Sequence, residues 1–205
     1  MKLVACVSLG FVTMLLLITP SYGEEALTRD QLIKQLGLEK HIEGGYFRRT
    51  FQADHRAKID QGLGPRYTMT SILYMLTSDS PVDHWHLNQS DIIQYYHLGG
   101  PITYYLIDAE GNLSVKVLGP DIANGQQVQV IVKGGTWKAA ELKPGNDYGL
   151  LSEAVSPGFE YHDMRIGEQV ELLKLFPQHA ELIKRFSSQP DSANEGARQI
   201  PHNHL

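Results

Sequence analysis

The sequence holds a single cysteine, Cys6, close to its start. With no second thiol the chain can form no internal disulfide, so its stability has to come from a buried core, and a cysteine nucleophile is excluded from the body of the protein. Basic clusters are missing too. The 18 Lys and Arg stand against 23 Asp and Glu, a formal net charge of −5, and no basic run occurs anywhere, which speaks against nucleic acid as a partner. Neither a glycine-rich phosphate loop nor a Gly-x-Ser-x-Gly elbow is present, so neither of those chemistries is signalled.

Long apolar runs are scarce. The one from Leu3 to Ile18 falls short of the ~20 residues that a membrane span needs. It follows the charged start Met1-Lys2 and ends in Thr19-Pro20-Ser21-Tyr22-Gly23, with small residues where a signal peptidase reads. Residues 1–23 therefore have the form of a secretory signal peptide, and the expected location is secreted, or periplasmic in a bacterium. Its removal takes Lys2 away and leaves 17 basic against 23 acidic side chains, a net charge of −6, on a mature chain without a membrane span. Residues 24–186 suit one domain with a substantial core. Residues 187–205 are polar and interrupted by Pro190, Gly196 and Pro201, which is the composition of a flexible tail. Two glycosylation sequons, Asn88-Gln89-Ser90 and Asn112-Leu113-Ser114, matter only in a eukaryotic source, and Asn112, in an obvious turn after Gly111, is the better acceptor.

Thr28-Arg29-Asp30-Gln31 has the form of a capping box, with Leu32, Ile33 and Leu36 at helical spacing and Gly37 as a stop. The pattern predicts a short helix over about residues 29–36. From Tyr46 the sequence changes to short β-branched and aromatic runs cut by Gly, Pro, Asn and Asp. Strands are predicted near 45–51, 68–77, 82–87, 91–97, 102–108, 113–118, 126–132, 136–142, 148–155 and 159–165. So many short strands at regular spacing imply an all-β antiparallel barrel or sandwich over about residues 41–165. After Gly167 the helical period returns at Val170, Leu172, Leu173 and Phe176, and again beyond Pro177 at Ala180, Ile183 and Phe186, so two C-terminal helices are expected on the outside of the sheet.

His84-Trp85-His86, with Asp91 five residues on and Tyr95 and His97 beyond, is the stretch that carries chemistry. Two imidazoles two residues apart on a regular strand share a face and can grip one metal ion or one anion. If Asp91 faces inward, period two also turns Ile93, Tyr95 and His97 inward, and polar groups lining an interior signal a ligand pocket. The plain alternatives are hydrogen-bonded histidines that bind nothing, an Asp91 that closes a turn, and a Trp137 that belongs to the core. His41, His55, His162 and His179 follow no pattern and read as surface residues.

Asp83-His84-Trp85-His86, Asp91 and Gly99 resemble the first motif of the cupin superfamily, in which histidines and an acid bind a divalent metal. Asp91 stands where Glu is usual, and the closing glycine comes one position late. Lys133-Gly134-Gly135-Thr136-Trp137-Lys138 resembles the turn of the second motif, with Lys133 for its proline and Lys138 in place of the third histidine. His41-Ile42-Glu43-Gly44-Gly45-Tyr46-Phe47-Arg48-Arg49-Thr50, Thr70-Ser71-Ile72, Gly134 through Ala140, and Val155-Ser156-Pro157-Gly158-Phe159-Glu160 are similar to the landmarks of a small single-barrel branch, the cupin-five group.

The resemblance implies a cupin-type β-barrel (double-stranded β-helix, jelly roll) with flanking N- and C-terminal helices, a lined cavity and a homodimer. The expected metal ligands are His84, His86 and Asp91, holding Mn, Fe, Ni or Zn with open positions. Tyr95, His97 and Lys138 are the candidate acids or bases, and Glu43, Trp137 and Glu160 the candidate pocket residues. Two functions remain open. One is an enzyme on a small polar molecule, a sugar derivative or carboxylic acid, of epimerase, isomerase or lyase type. The other is a non-catalytic binding or storage protein using the same cavity.

Overall fold

Thr28 starts the first helix as the spacing predicts: its hydroxyl accepts the Gln31 N–H while the Gln31 side chain accepts the Thr28 N–H, and Gly37 closes the helix in the left-handed region. The computed structural model describes residues 27–60, 62 and 64–188. The expected signal peptide at 1–23, and the expected tail from residue 189 on, lie outside the described residues. Ser187, at the start of that tail, is buried and donates to the Ile183 carbonyl, so the packed chain passes the boundary expected at 186.

The order of elements is α1 (Arg29–Leu36), β1 (Glu39–Lys40), β2 (Tyr46–Gln52), β3 (Ile59–Asp60), β4 (Pro65–Arg66), β5 (Thr70–Thr77), β6 (Val82–Asn88), β7 (Asp91–Gly99), β8 (Ile102–Ile107), β9 (Leu113–Leu118), β10 (Gln129–Val132), β11 (Trp137–Leu142), β12 (Tyr148–Ser156), β13 (Met164–Ile166), α2 (Gln169–Leu175) and α3 (Ala180–Phe186). Two differences from the predicted strands stand out. The two-residue strands β1, β3 and β4 carry no strand-length pattern, and the strand expected over 159–165 shortens to β13 because Tyr161–Asp163 forms a 3-10 turn.

The strands form two antiparallel sheets, β1-β2-β5-β12-β7-β10 and β13-β6-β11-β8-β9, with β3-β4 a separate hairpin. They lie face to face as a jelly roll and do not close into one continuous barrel; a single parallel bridge, Leu118 to Gln127, joins β9 to the segment entering β10. Alternation sorts the side chains into three layers. Tyr74, Leu76, Ile92, Tyr104, Leu106, Ala140, Leu151 and Val155 fill the space between the sheets. The back of the five-stranded sheet carries Trp85, Leu87, Trp137 and Ala139, covered by Leu172 of α2 and by Ile183 and Phe186 of α3. On the back of the six-stranded sheet, Met75 and Leu150 are covered by Leu32 of α1 and by Leu38. Both sets of flanking helices sit on the outside, which leaves one end of the inter-sheet space free for a cavity.

Candidate functional site

The loop His41-Ile42-Glu43-Gly44-Gly45 delivers the first carboxyl. Gly44 has φ +109°, and a Cβ there would lie 2.0 Å from the Val82 carbonyl oxygen, so only glycine lets the loop lie this close to β6. The loop is held by His84 N–H donating to the Glu43 carbonyl at 2.7 Å, by Tyr74 Oη donating to the Gly44 carbonyl at 2.7 Å, and by Gly45 N–H donating to Ser80 Oγ at 2.8 Å. Glu43 is thereby fixed over the space between the sheets.

Strand β6 supplies the next two groups, through an irregularity. Opposite β11, His86 pairs with Lys138 and Asp83 with Ala140, so His84 and Trp85 together face the single residue Ala139. This β-bulge resets the alternation. Asp83 and His86 point inward, while His84 and Trp85 both point outward, His84 Nδ1 to the Phe186 carbonyl at 3.1 Å and Trp85 Nε1 to the Leu182 carbonyl at 3.2 Å. Lys138, 2% exposed, comes in from β11, and Glu153 from β12 and Gln94 from β7 complete the layer. Both Lys138 Nζ (3.2 Å) and Gln94 Nε2 (3.1 Å) donate to Glu153 Oε1.

His86 Nδ1 lies 2.7 Å from the His84 carbonyl oxygen, an acceptor, so the ring proton sits on Nδ1 and Nε2 keeps its lone pair. Nε2 is 3.3 Å from Glu43 Oε2 but not aligned for a hydrogen bond, His86 Nδ1 is 3.5 Å from Asp83 Oδ1, and neither Nε2 nor Asp83 Oδ1, both buried, has a hydrogen-bond partner among the described residues. The ligand atoms of Glu43, Asp83 and His86 all fall within 4.8 Å of one another. Glu43 Oε2 is also 3.4 Å from His41 Nδ1.

Burial dominates the proton affinities here. It pushes the Glu43 carboxyl well above the ordinary range, with the Asp83 charge adding to the effect. Burial raises Asp83 to about 8 against the pull of Lys138. It holds His86 well below the usual imidazole value and His41 at about 4, the Lys138 charge acting the same way on both. Lys138 itself is buried, which disfavours its charge, but Glu153, Asp83 and Glu43 more than offset this and raise it.

These residues fit a divalent cation. One imidazole nitrogen and two carboxylate oxygens are a donor set for Mn, Fe or Zn, the two orphaned acceptors need a cation or a donor, and with Lys138 matched by Glu153, a dication would neutralise the remaining pair, Glu43 and Asp83.

Above the cluster opens a cavity of about 1050 Å³, with Glu43, Glu153, His41, Tyr74 and Asn88 at its floor and Arg49, Phe159, Glu160, Tyr161 and His162 among the residues around it. The structure thus gathers Glu43, His86 and Lys138 in the cluster and Glu160 on the cavity, but places His84, Asp91, Tyr95, His97 and Trp137 elsewhere. His84 is separated from His86 by the bulge. Asp91 lies at an exposed turn, accepting from Lys133 Nζ at 2.9 Å and from Gly134 N–H at 2.8 Å, which keep its pKa below the usual carboxylate value. With Asp91 outside, β7 runs in the opposite phase to the one expected: Ile92 and Tyr96 pack inward with Gln94, and Tyr95 and His97 lie on the outer face. Trp137 sits opposite Leu87 beneath the C-terminal helices, against Arg165, and is not a pocket wall.

Asp83, His41, Tyr74, Gln94, Asn88 and Glu153 were not among the predicted site residues, and the side chain of His41, expected at the surface, is buried. A signal existed for Glu153, which shares period two with Leu151 and Val155. Asn88 is 8% exposed at the cavity floor, whereas Asn112 is exposed in its turn.

The chain is similar to other proteins. A hypothetical protein of Leishmania major is 30% identical, with 80% of this chain and 100% of that chain covered at a TM-score of 0.73. A protein of Shewanella oneidensis is 31% identical, covering 80% and 99% at 0.72. An uncharacterized protein of Saccharomyces cerevisiae is 35% identical over 145 residues, 65% of this chain and 72% of that one. A family model described as Cupin superfamily (DUF985) matches residues 30–167, from α1 to the end of β13. Helix, both sheets and cluster lie within that span, and the chain belongs to this family of the cupin superfamily.

Proposed function

We propose that the cavity takes a small polar molecule, a sugar derivative or a carboxylic acid, and that the cluster beneath its floor turns it over in a reaction of epimerase, isomerase or lyase type with a divalent cation on Glu43, Asp83 and His86. The observation that carries this reading is the pair of unpartnered acceptors, His86 Nε2 and Asp83 Oδ1, sealed below an open cavity. A folded protein rarely leaves such atoms unmatched without a use for them. The cation would supply Lewis acidity to a ligand oxygen. His86 is held in one tautomer by the His84 carbonyl. Glu43 faces both cluster and cavity, and it is suited to moving a proton. Lys138 is a fixed positive charge that stabilises a developing anion. That same lysine, in place of a third imidazole ligand, favours a second reading in which the cavity binds without turnover.

The location belongs to the proposal: the form of residues 1–23 supports export with cleavage near Gly23, which N-terminal sequencing of exported protein tests. Metal analysis of protein purified without chelator or nickel resin tests the site. One divalent ion per chain, lost in Glu43→Gln and Asp83→Asn, is expected. Metal-free protein that still binds a sugar or acid would remove the cation and leave the cavity.

A further inference from the structure

Arg49 sits opposite Ile72 in the pairing of β2 with β5, and Ile72 belongs to the inner layer, so the guanidinium points into the mouth of the cavity. Its Nη2 donates to the Phe159 carbonyl at 3.0 Å, which uses one of five donors. Arg29, Arg66, Arg165 and Arg185 each pair with an acid. Arg49, half-buried, has no such partner among the described residues, and Glu39 and Glu160, which also line the cavity, stand outside ion-pair reach of it.

The cavity is therefore graded. Its floor exposes the carboxyls of Glu43 and Glu153, its walls include Phe47, Ile72, Val155 and Phe159, and its mouth holds a guanidinium with free donors. An anionic group gains most at the mouth, where the guanidinium has free donors, because the Lys138 charge at the floor is already matched by Glu153. Resting on the reading of this cavity as the ligand site, we infer that Arg49 is an oxyanion subsite, and that the ligand carries a terminal carboxylate or phosphate that stays outermost while its uncharged polar end reaches the floor. Arg49 then sets both the class of ligand and its direction of entry.

Glucose, gluconate and glucose 6-phosphate, titrated into the wild-type protein and followed by NMR, compare a neutral probe with the two kinds of oxyanion. At least one of the anions is expected to bind about tenfold or more tightly than glucose; which one separates carboxylate from phosphate. Arg49→Gln abolishes the preference, and Arg49→Lys, which keeps the charge but loses the planar fork, keeps part of it. Equal affinity for all three probes overturns the subsite and leaves the cavity as a ligand site, as does a preference that survives Arg49→Gln. If Arg49→Gln fails to fold through loss of the Phe159 contact, the lysine variant decides, and an undiminished preference there overturns the subsite. No binding by any of the three overturns the cavity reading and the subsite with it.

Discussion

Asp83 binds its proton more tightly in the folded chain, at about 8, than at its ordinary value of 3.8. The native state therefore holds more protons than the unfolded state over that interval, and the associated stability, complete below the lower value, is lost as pH rises through the upper one. His41 has the opposite sign. Its folded value of about 4 lies below its ordinary 6.5, so its contribution is present above 6.5 and lost as pH falls toward 4. Between pH 6.5 and about 8 Asp83 acts without that opposition. In chelator, the thermal midpoint is expected to fall across this window, and a divalent cation on Glu43, Asp83 and His86 should remove the fall. A midpoint that stays level or rises in chelator would contradict the pKa assigned to Asp83. The backbone beside Glu43 is equally constrained. Gly44→Ala, at φ +109° and with its Cβ 2.0 Å from a carbonyl oxygen, is expected to cost about 3 kcal/mol in urea unfolding.

One extra residue in β6 decides which histidine enters the interior. On an unbroken strand His84 and His86 would share a face; the bulge opposite Ala139 sends His84 to the helix α3 and keeps His86 inside. His84→Ala should therefore retain metal and lose about 1 kcal/mol with its hydrogen bond, while His86→Ala should lose the metal and stay folded. Equal metal loss in both variants would restore the two-histidine site. Element positions were largely legible: α1 has its capping box and glycine stop where the spacing puts them, and β5 through β12 lie within a few residues of their predicted ranges. Strand phase was not. For β7 everything turned on Asp91, whose partners Lys133 and Gly134 are some forty residues away, and nothing local to the strand says that this carboxylate stays outside to close a turn.

Across the whole molecule, the outer face of the six-stranded sheet is only partly covered. α1 protects Met75 and Leu150, but Ile131 on the edge strand β10 is 55% exposed and Tyr95 on β7 is 37% exposed. An apolar stretch reaching a sheet edge is a surface for pairing, and sedimentation at micromolar concentration is expected to show a homodimer that Ile131→Lys converts to monomer. A wild-type monomer would reject it. The all-β class, the positions of most strands along the chain and the exclusion of disulfide, nucleotide-loop and basic-surface chemistry could all be read from composition, turn residues and periodicity, because each is a local property of the chain. Glu43, His86 and Lys138 could be singled out as well, the first beside a glycine turn and the other two at motif positions. Their assembly with Asp83 and Glu153 into one buried cluster could not. It depends on a bulge that reverses the direction of a side chain and on a loop between two strands of one sheet that packs against β6 of the other, and both are settled by contacts between segments far apart in sequence.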